Sequence, residues 1–143
     1  MKDSRYFVVV GCGRLGSLLA NHLSRRGHDV VVIDRRPAAF ANLSAEFSGF
    51  QVLGDAVEPG TLRQAGTEKA DCLLAVAEED NVNLMVAQVA EQVFGVRTIL
   101  ARVNDPARES AFRHLGVATV NPTLLTAEAL LSQVAAENPG GES

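Results

Sequence analysis

Apolar and polar positions along this chain alternate between two rhythms. Short unbroken apolar runs rich in β-branched residues, such as Phe7-Val8-Val9-Val10 and Val30-Val31-Val32-Ile33, have the pattern of strands buried on both faces. Between them lie stretches whose apolar residues return every three or four positions, as at Leu15, Leu18, Leu19 and Leu23, the pattern of one helix face. The first rhythm predicts strands near Tyr6–Val10, Asp29–Ile33, Phe50–Leu53, Cys72–Val76, Thr98–Arg102 and Thr119–Val120. The second predicts helices near Leu15–Arg26, Ala38–Phe47, Pro59–Gln64, Asn81–Phe94 and Pro106–Leu115, with a last one over Pro122–Glu137. Punctuation agrees with periodicity: Gly27, Gly66, Gly95 and Gly116 fall just after predicted helices, and Pro37, Pro59 and Pro106 fall near helix starts.

Strands alternating with helices from end to end select an α/β fold with a parallel sheet. The expected architecture is doubly wound: a Rossmann-like six-stranded parallel sheet, ordered 3-2-1-4-5-6, with helices on both faces and a further C-terminal helix. The expected division is residues 1–121 as the Rossmann domain, 122–137 as an amphipathic helix and 138–143 as a flexible tail or the start of a linker.

The first strand runs directly into Gly11-Cys12-Gly13-Arg14-Leu15-Gly16, a GxGxxG turn followed by a helix. Gly11 permits the tight turn, Gly13 lets backbone approach a phosphate, and Gly16 lets the helix pack close to the strand. The free N–H groups of the helix start then face an anion, with the helix dipole favouring negative charge there. Asp34 closes the second strand eighteen residues after Gly16, where a carboxylate can accept from both hydroxyls of an adenosine ribose. A glycine motif alone is weak; strand, helix and acidic residue at the right distance make this one a specific dinucleotide signal.

Composition narrows the picture. At 143 residues, 47% hydrophobic and 21% charged, one compact domain is expected. A net charge of −4 leaves no basic footprint for nucleic acid. No apolar run approaches the roughly 20 residues that span a bilayer, and Met1–Arg5 lacks the apolar core of a secretion signal, so a cytoplasmic protein without direct membrane insertion is expected. Cys12 and Cys72 form neither a CxxC nor a Cys/His cluster and read as reduced thiols. Cys12 near a helix N-terminus also admits a redox role through a lowered pKa. His22, His28 and His114 are scattered without ligand or triad spacing.

Further chemistry collects after the later strands, on the carboxyl edge where open α/β sheets bind ligands. Gly54-Asp55-Ala56 closes the third, Asp55 either capping the next helix or facing the adenine region. Ala75, Val76 and Ala77 carry small apolar residues past the glycine loop into Glu78-Glu79-Asp80-Asn81, where Asp80 or Asn81 reads as a helix cap and the three carboxylates alternatively as a cation site. Arg102 ends the fifth strand, free to contact phosphate or to pair with a carboxylate. Arg35 and Arg36 follow Asp34, whose charge would repel a ribose phosphate and so disfavours an NADP-only site. In the last helix Leu124, Ala127, Leu131, Val134 and Ala135 form one stripe, suited either to its own sheet or to a neighbouring subunit.

Together these residues resemble the nucleotide-binding N-terminal lobe of the Trk/Ktr and RCK family of potassium-transport regulators. The resemblance runs nearly full length and is carried by the 11–16 glycine loop, Asp34, Gly54-Asp55-Ala56, the Ala77–Asn83 segment with Asp80 and Asn83, and Ala101-Arg102-Val103-Asn104-Asp105-Pro106. It implies a non-enzymatic regulatory domain that binds NAD(H) or ATP/ADP. It also implies a homodimer assembled into a ring beneath a membrane potassium-transport subunit, with the last helix crossing to a partner. Family members usually continue into a smaller C-terminal lobe, whereas this sequence stops at Ser143. Pattern and resemblance together select Gly11, Cys12, Gly13, Arg14, Leu15, Gly16, Asp34, Arg35, Gly54, Asp55, Ala56, Ala75, Val76, Ala77 and Arg102 as nucleotide-binding residues, with no metal ligand. The competing class is a small NAD-dependent oxidoreductase, which needs a proton-transfer group; Tyr6, the only tyrosine, lies in the first strand.

Overall fold

The computed structural model describes residues 3–137. Its strands are β1 (Tyr6–Val10), β2 (Asp29–Asp34), β3 (Phe50–Leu53), β4 (Cys72–Ala75), β5 (Thr98–Arg102) and β6 (Ala118–Val120). They form one all-parallel sheet ordered β3-β2-β1-β4-β5-β6. The order reverses between β1 and β4, and that switch point opens the crevice in which such sheets take their ligands.

Alternation along each strand divides the core. Val8, Val10, Val31, Ile33, Leu73, Ala75 and Ala101 point to one face, which is covered by α2 (Pro59–Gln64), α3 (Asp80–Gln92) and α4 (Pro106–His114). Phe112 anchors α4 there at 1% exposure. Val9, Val30 and Val32 point to the other face, under α1 (Arg14–Arg25) and a 3₁₀ helix over Pro37–Asn42. Helices thus lie on both faces, but the second face is covered only above the first strands. Leu100 and Val120, on β5 and β6, remain 38% and 40% exposed.

Two elements depart from expectation. The predicted helix over Ala38–Phe47 is the short 3₁₀ segment followed by irregular chain. Its apolar residues Phe40, Leu43 and Phe47 still pack on the sheet, so the spacing reported burial rather than helix. The last helix, α5 (Pro122–Glu137), buries none of its residues. Of its two sequence readings, packing against its own sheet is therefore not what the structure shows. The expected tail at 138–143 lies outside the described residues.

Candidate nucleotide-binding site

The carboxyl ends of the strands enclose a cleft of about 600 Å³ at the switch point, within the range of small-ligand sites. Twelve of the predicted site residues line it: Gly11, Gly13, Arg14, Leu15, Asp34, Arg35, Gly54, Asp55, Ala56, Val76, Ala77 and Arg102. The other three stand behind its wall. Cys12 and Ala75 are fully buried, and Gly16 is packed beneath the loop. Sequence reasoning did not select Val10, Ile33, Arg36, Glu78, Glu79, Val82 and Pro122, which also line the cleft. Arg36, Glu78 and Glu79 had adjacency to Asp34 and Ala77 as a signal, whereas Val82 and Pro122 arrive only through tertiary folding.

The glycine loop is shaped as the motif requires. Gly11 has φ of +105°, and a Cβ there would meet the Ala77 backbone at 2.9 Å. The α1 helix starts after Gly13 with no side-chain cap and no acidic residue in its first turn. Its leading N–H groups are thus left for an external anion, with no carboxylate nearby on the helix to compete.

Asp34, 8% exposed, is held at the cleft edge by backbone donors. Its Oδ2 accepts from the Cys12 N–H at 2.8 Å and its Oδ1 from the Arg36 N–H at 2.9 Å. The Arg36 side chain approaches the same Oδ1 at 3.5 Å, so Arg36 serves the carboxylate instead of merely being solvated. Oδ2 keeps lone-pair capacity for a further donor such as a hydroxyl, and Oδ1 regains it where the long Arg36 Nε contact gives way. Gly54 N–H bonds the Asp34 carbonyl at 3.0 Å, fixing the Gly54–Ala56 turn beside it.

The bonds of the remaining candidates resolve their alternatives. Asp55 accepts from the Val57 N–H at 3.1 Å, an Asx turn rather than a cap on α2, and lines the cleft. Asp80 is the first residue of α3, and Glu79, not Asp80 or Asn81, occupies the cap position without a side-chain bond. Asp80 instead accepts from the Asn104 and Asp105 N–H groups at 2.8 and 3.0 Å. Among the described residues no cluster of three or more His, Cys, Asp or Glu groups is placed to hold a metal. Arg102 donates through Nε to Asn104 Oδ1 at 2.9 Å and, among the described residues, makes no carboxylate pair. Arg35 lies 3.9 Å from Glu79 across the cleft mouth.

Cys12 does not support the redox reading. Burial first, and the Asp34 charge second, push its thiol up to about 11, and the sulfur packs among Val9, Ala20 and Val32. The helix N-terminus that would lower the pKa is outweighed by the loss of water.

The TrkA-N domain family matches residues 7–122. The chain belongs to the TrkA-N domain family. It is 42% identical, over 90% of its length, to the Trk system potassium uptake protein TrkA of Streptomyces coelicolor. The match covers 58% of that relative, so this chain spans little more than half of it. Among solved structures, the TrkA-N domain of inner membrane protein ybaL from Escherichia coli superposes with a TM-score of 0.81 at 22% identity, covering 93% of this chain and 98% of that one. The GsuK RCK domain superposes at 0.74 and 25% identity over 90% of this chain and 27% of that one. GsuK has also been solved bound to NAD and bound to ADP. The glycine loop and Asp34 fall inside the segment that the family matches.

Proposed function

We propose that this TrkA-N domain is the nucleotide-sensing part of a potassium-uptake regulator. It takes NAD(H) or an adenine nucleotide such as ATP or ADP into the switch-point cleft. The observation that carries this reading is an uncapped α1 N-terminus set beside a buried, backbone-braced Asp34 in one cleft, the two joined through the Cys12 N–H. The first suits a phosphate and the second a ribose diol, two groups that an adenosine nucleotide presents together. The kinship to TrkA supports potassium uptake as the process, and the NAD- and ADP-bound forms of GsuK support the ligand class.

The regulator works as a dimer that docks on the cytoplasmic face of a membrane potassium-transport subunit and responds to its ligand by conformational change. Two unpartnered apolar surfaces support the dimer: α5, with Leu131 and Val134 at 68% and 64% exposure, and the uncovered β5–β6 face at Leu100 and Val120. Among the described residues no helix is long and apolar enough to cross a membrane, which fits attachment through a partner. Among the described residues, those lining the cleft include carboxylates and guanidiniums but no tyrosine, histidine or lysine, which favours sensing over hydride transfer.

Titration calorimetry of the purified domain against NAD, NADH, ATP and ADP tests the reading. Saturable one-to-one binding of at least one of them is expected; no heat from any of the four would overturn it.

A further inference from the structure

Asn83 is fully buried on α3, and it makes three hydrogen bonds that join both far-side walls of the cleft. Its Oδ1 accepts from the Ala77 N–H at 2.9 Å, and its Nδ2 donates to the Ala77 carbonyl at 2.8 Å. The second Nδ2 proton goes to the Arg102 carbonyl at 2.9 Å. The amide orientation is fixed by these partners, because a flipped carboxamide would set N–H against N–H and oxygen against two carbonyls. One carbonyl and two N–H groups on a short stem are what the three backbone groups require, and only asparagine supplies them at this length.

Ala77 and Arg102 both line the cleft, on the side across the switch point from Asp34. Arg102 is also paired with Val120 in the sheet, and Asn83 is the side chain that ties it to Ala77. The near side is held independently, by the Cys12–Asp34 bond, by Gly11 N–H to the Ile33 carbonyl at 2.8 Å, and by Gly54 N–H to the Asp34 carbonyl. Each bank therefore has its own internal brace.

We infer that Asn83 is a positioning residue that sets the far bank of the cleft, and so governs binding of the portion of a ligand that extends beyond the adenosine and its first phosphate. This deepens the nucleotide reading and rests on it. AMP reaches only the near bank, through Asp34 and the α1 N-terminus, whereas NAD carries a second nucleoside across to Ala77 and Arg102. Asn83→Asp keeps the shape and the acceptor but removes both donations, leaving the Ala77 and Arg102 carbonyls unpaired.

Calorimetry with AMP and NAD on wild type and Asn83→Asp separates the outcomes. The variant is expected to weaken NAD by about tenfold or more while changing AMP by less than about threefold. Equal losses for both ligands would overturn the positioning role and leave the nucleotide reading standing. A wild type that binds neither ligand would overturn the nucleotide reading itself. Where the variant fails to fold, wild-type nuclear magnetic resonance decides: NAD, but not AMP, should shift the Asn83 side-chain amide resonances. Identical responses to the two ligands would overturn the inference.

Discussion

The carbonyl oxygen of Gly11 occupies the space a β-carbon on Gly16 would need, 1.7 Å from that position. Strand and helix meet there with no room for even a methyl group, so the third glycine of the motif is a packing requirement and not a ligand contact. Gly13 differs, since a Cβ there would meet nothing within 4 Å.

Glycine substitutions should therefore divide into two classes. Gly16→Ala should destabilise the fold by about 2 kcal/mol or more through overpacking, seen as a lowered melting temperature. Gly13→Ala should melt close to wild type, because its φ of −75° suits alanine, yet lose nucleotide affinity as the methyl group enters the phosphate path. Equal thermal stability for Gly16→Ala and wild type would contradict the packing assignment.

Removal of the Asp34 carboxylate should cost binding and stability together. Asp34→Ala strands the buried Cys12 N–H and frees Arg36, a loss of about 1–3 kcal/mol in denaturant unfolding. Affinity for NAD or ADP should fall by about 10- to 100-fold in calorimetry, since hydrogen bonds to a charged acceptor disappear. An unchanged affinity would remove the ribose from this position.

The Cys12 thiol should resist alkylation by iodoacetamide at pH 8 in the folded protein and react on unfolding. Its folded pKa is raised to about 11, above the ordinary value of 9.0, so the folded state holds the proton more tightly than the unfolded chain. The stability contribution of this group is thus fully present below pH 9 and is lost as the pH climbs towards 11. Unfolding curves taken between those limits should show falling stability, and Cys12→Ser should flatten part of that decline.

Strand order and most boundaries were legible because buried parallel strands write themselves as apolar runs between turn signals. The glycine loop and Asp34 were legible because their chemistry is compressed into one strand-turn-helix-strand unit. What was not legible is long-range. Asp80 has the local look of a helix cap, and only the adjacency of β4 and β5 brings Asn104 and Asp105 to its carboxylate. Asn83 was marked by the resemblance alone, and its tie to the Ala77 and Arg102 backbone appears only once β4 and β5 lie side by side. The irregular segment after Asn42 misled for a third reason: Phe40, Leu43 and Phe47 repeat at helical spacing while the backbone between them turns at Ser44.

The α5 helix should hold two copies together. Wild-type protein is expected to scatter light as a dimer, and Leu131→Glu should weaken association by about thirtyfold or more, since a charge placed in an apolar contact costs about 2 kcal/mol. Monomer stability should scarcely change, because Leu131 is 68% exposed in the single chain. A monomeric wild type would refute this.

Pro122 belongs both to the cleft wall and to the first turn of α5. A rod of 16 residues pivoting there is about 24 Å long, so a tilt of about 10° at its root sweeps the tip through roughly 4 Å. A ligand in the crevice would thus lie against the short end of a lever, where a shift too small to disturb the sheet would become a stroke of several ångströms at the far end.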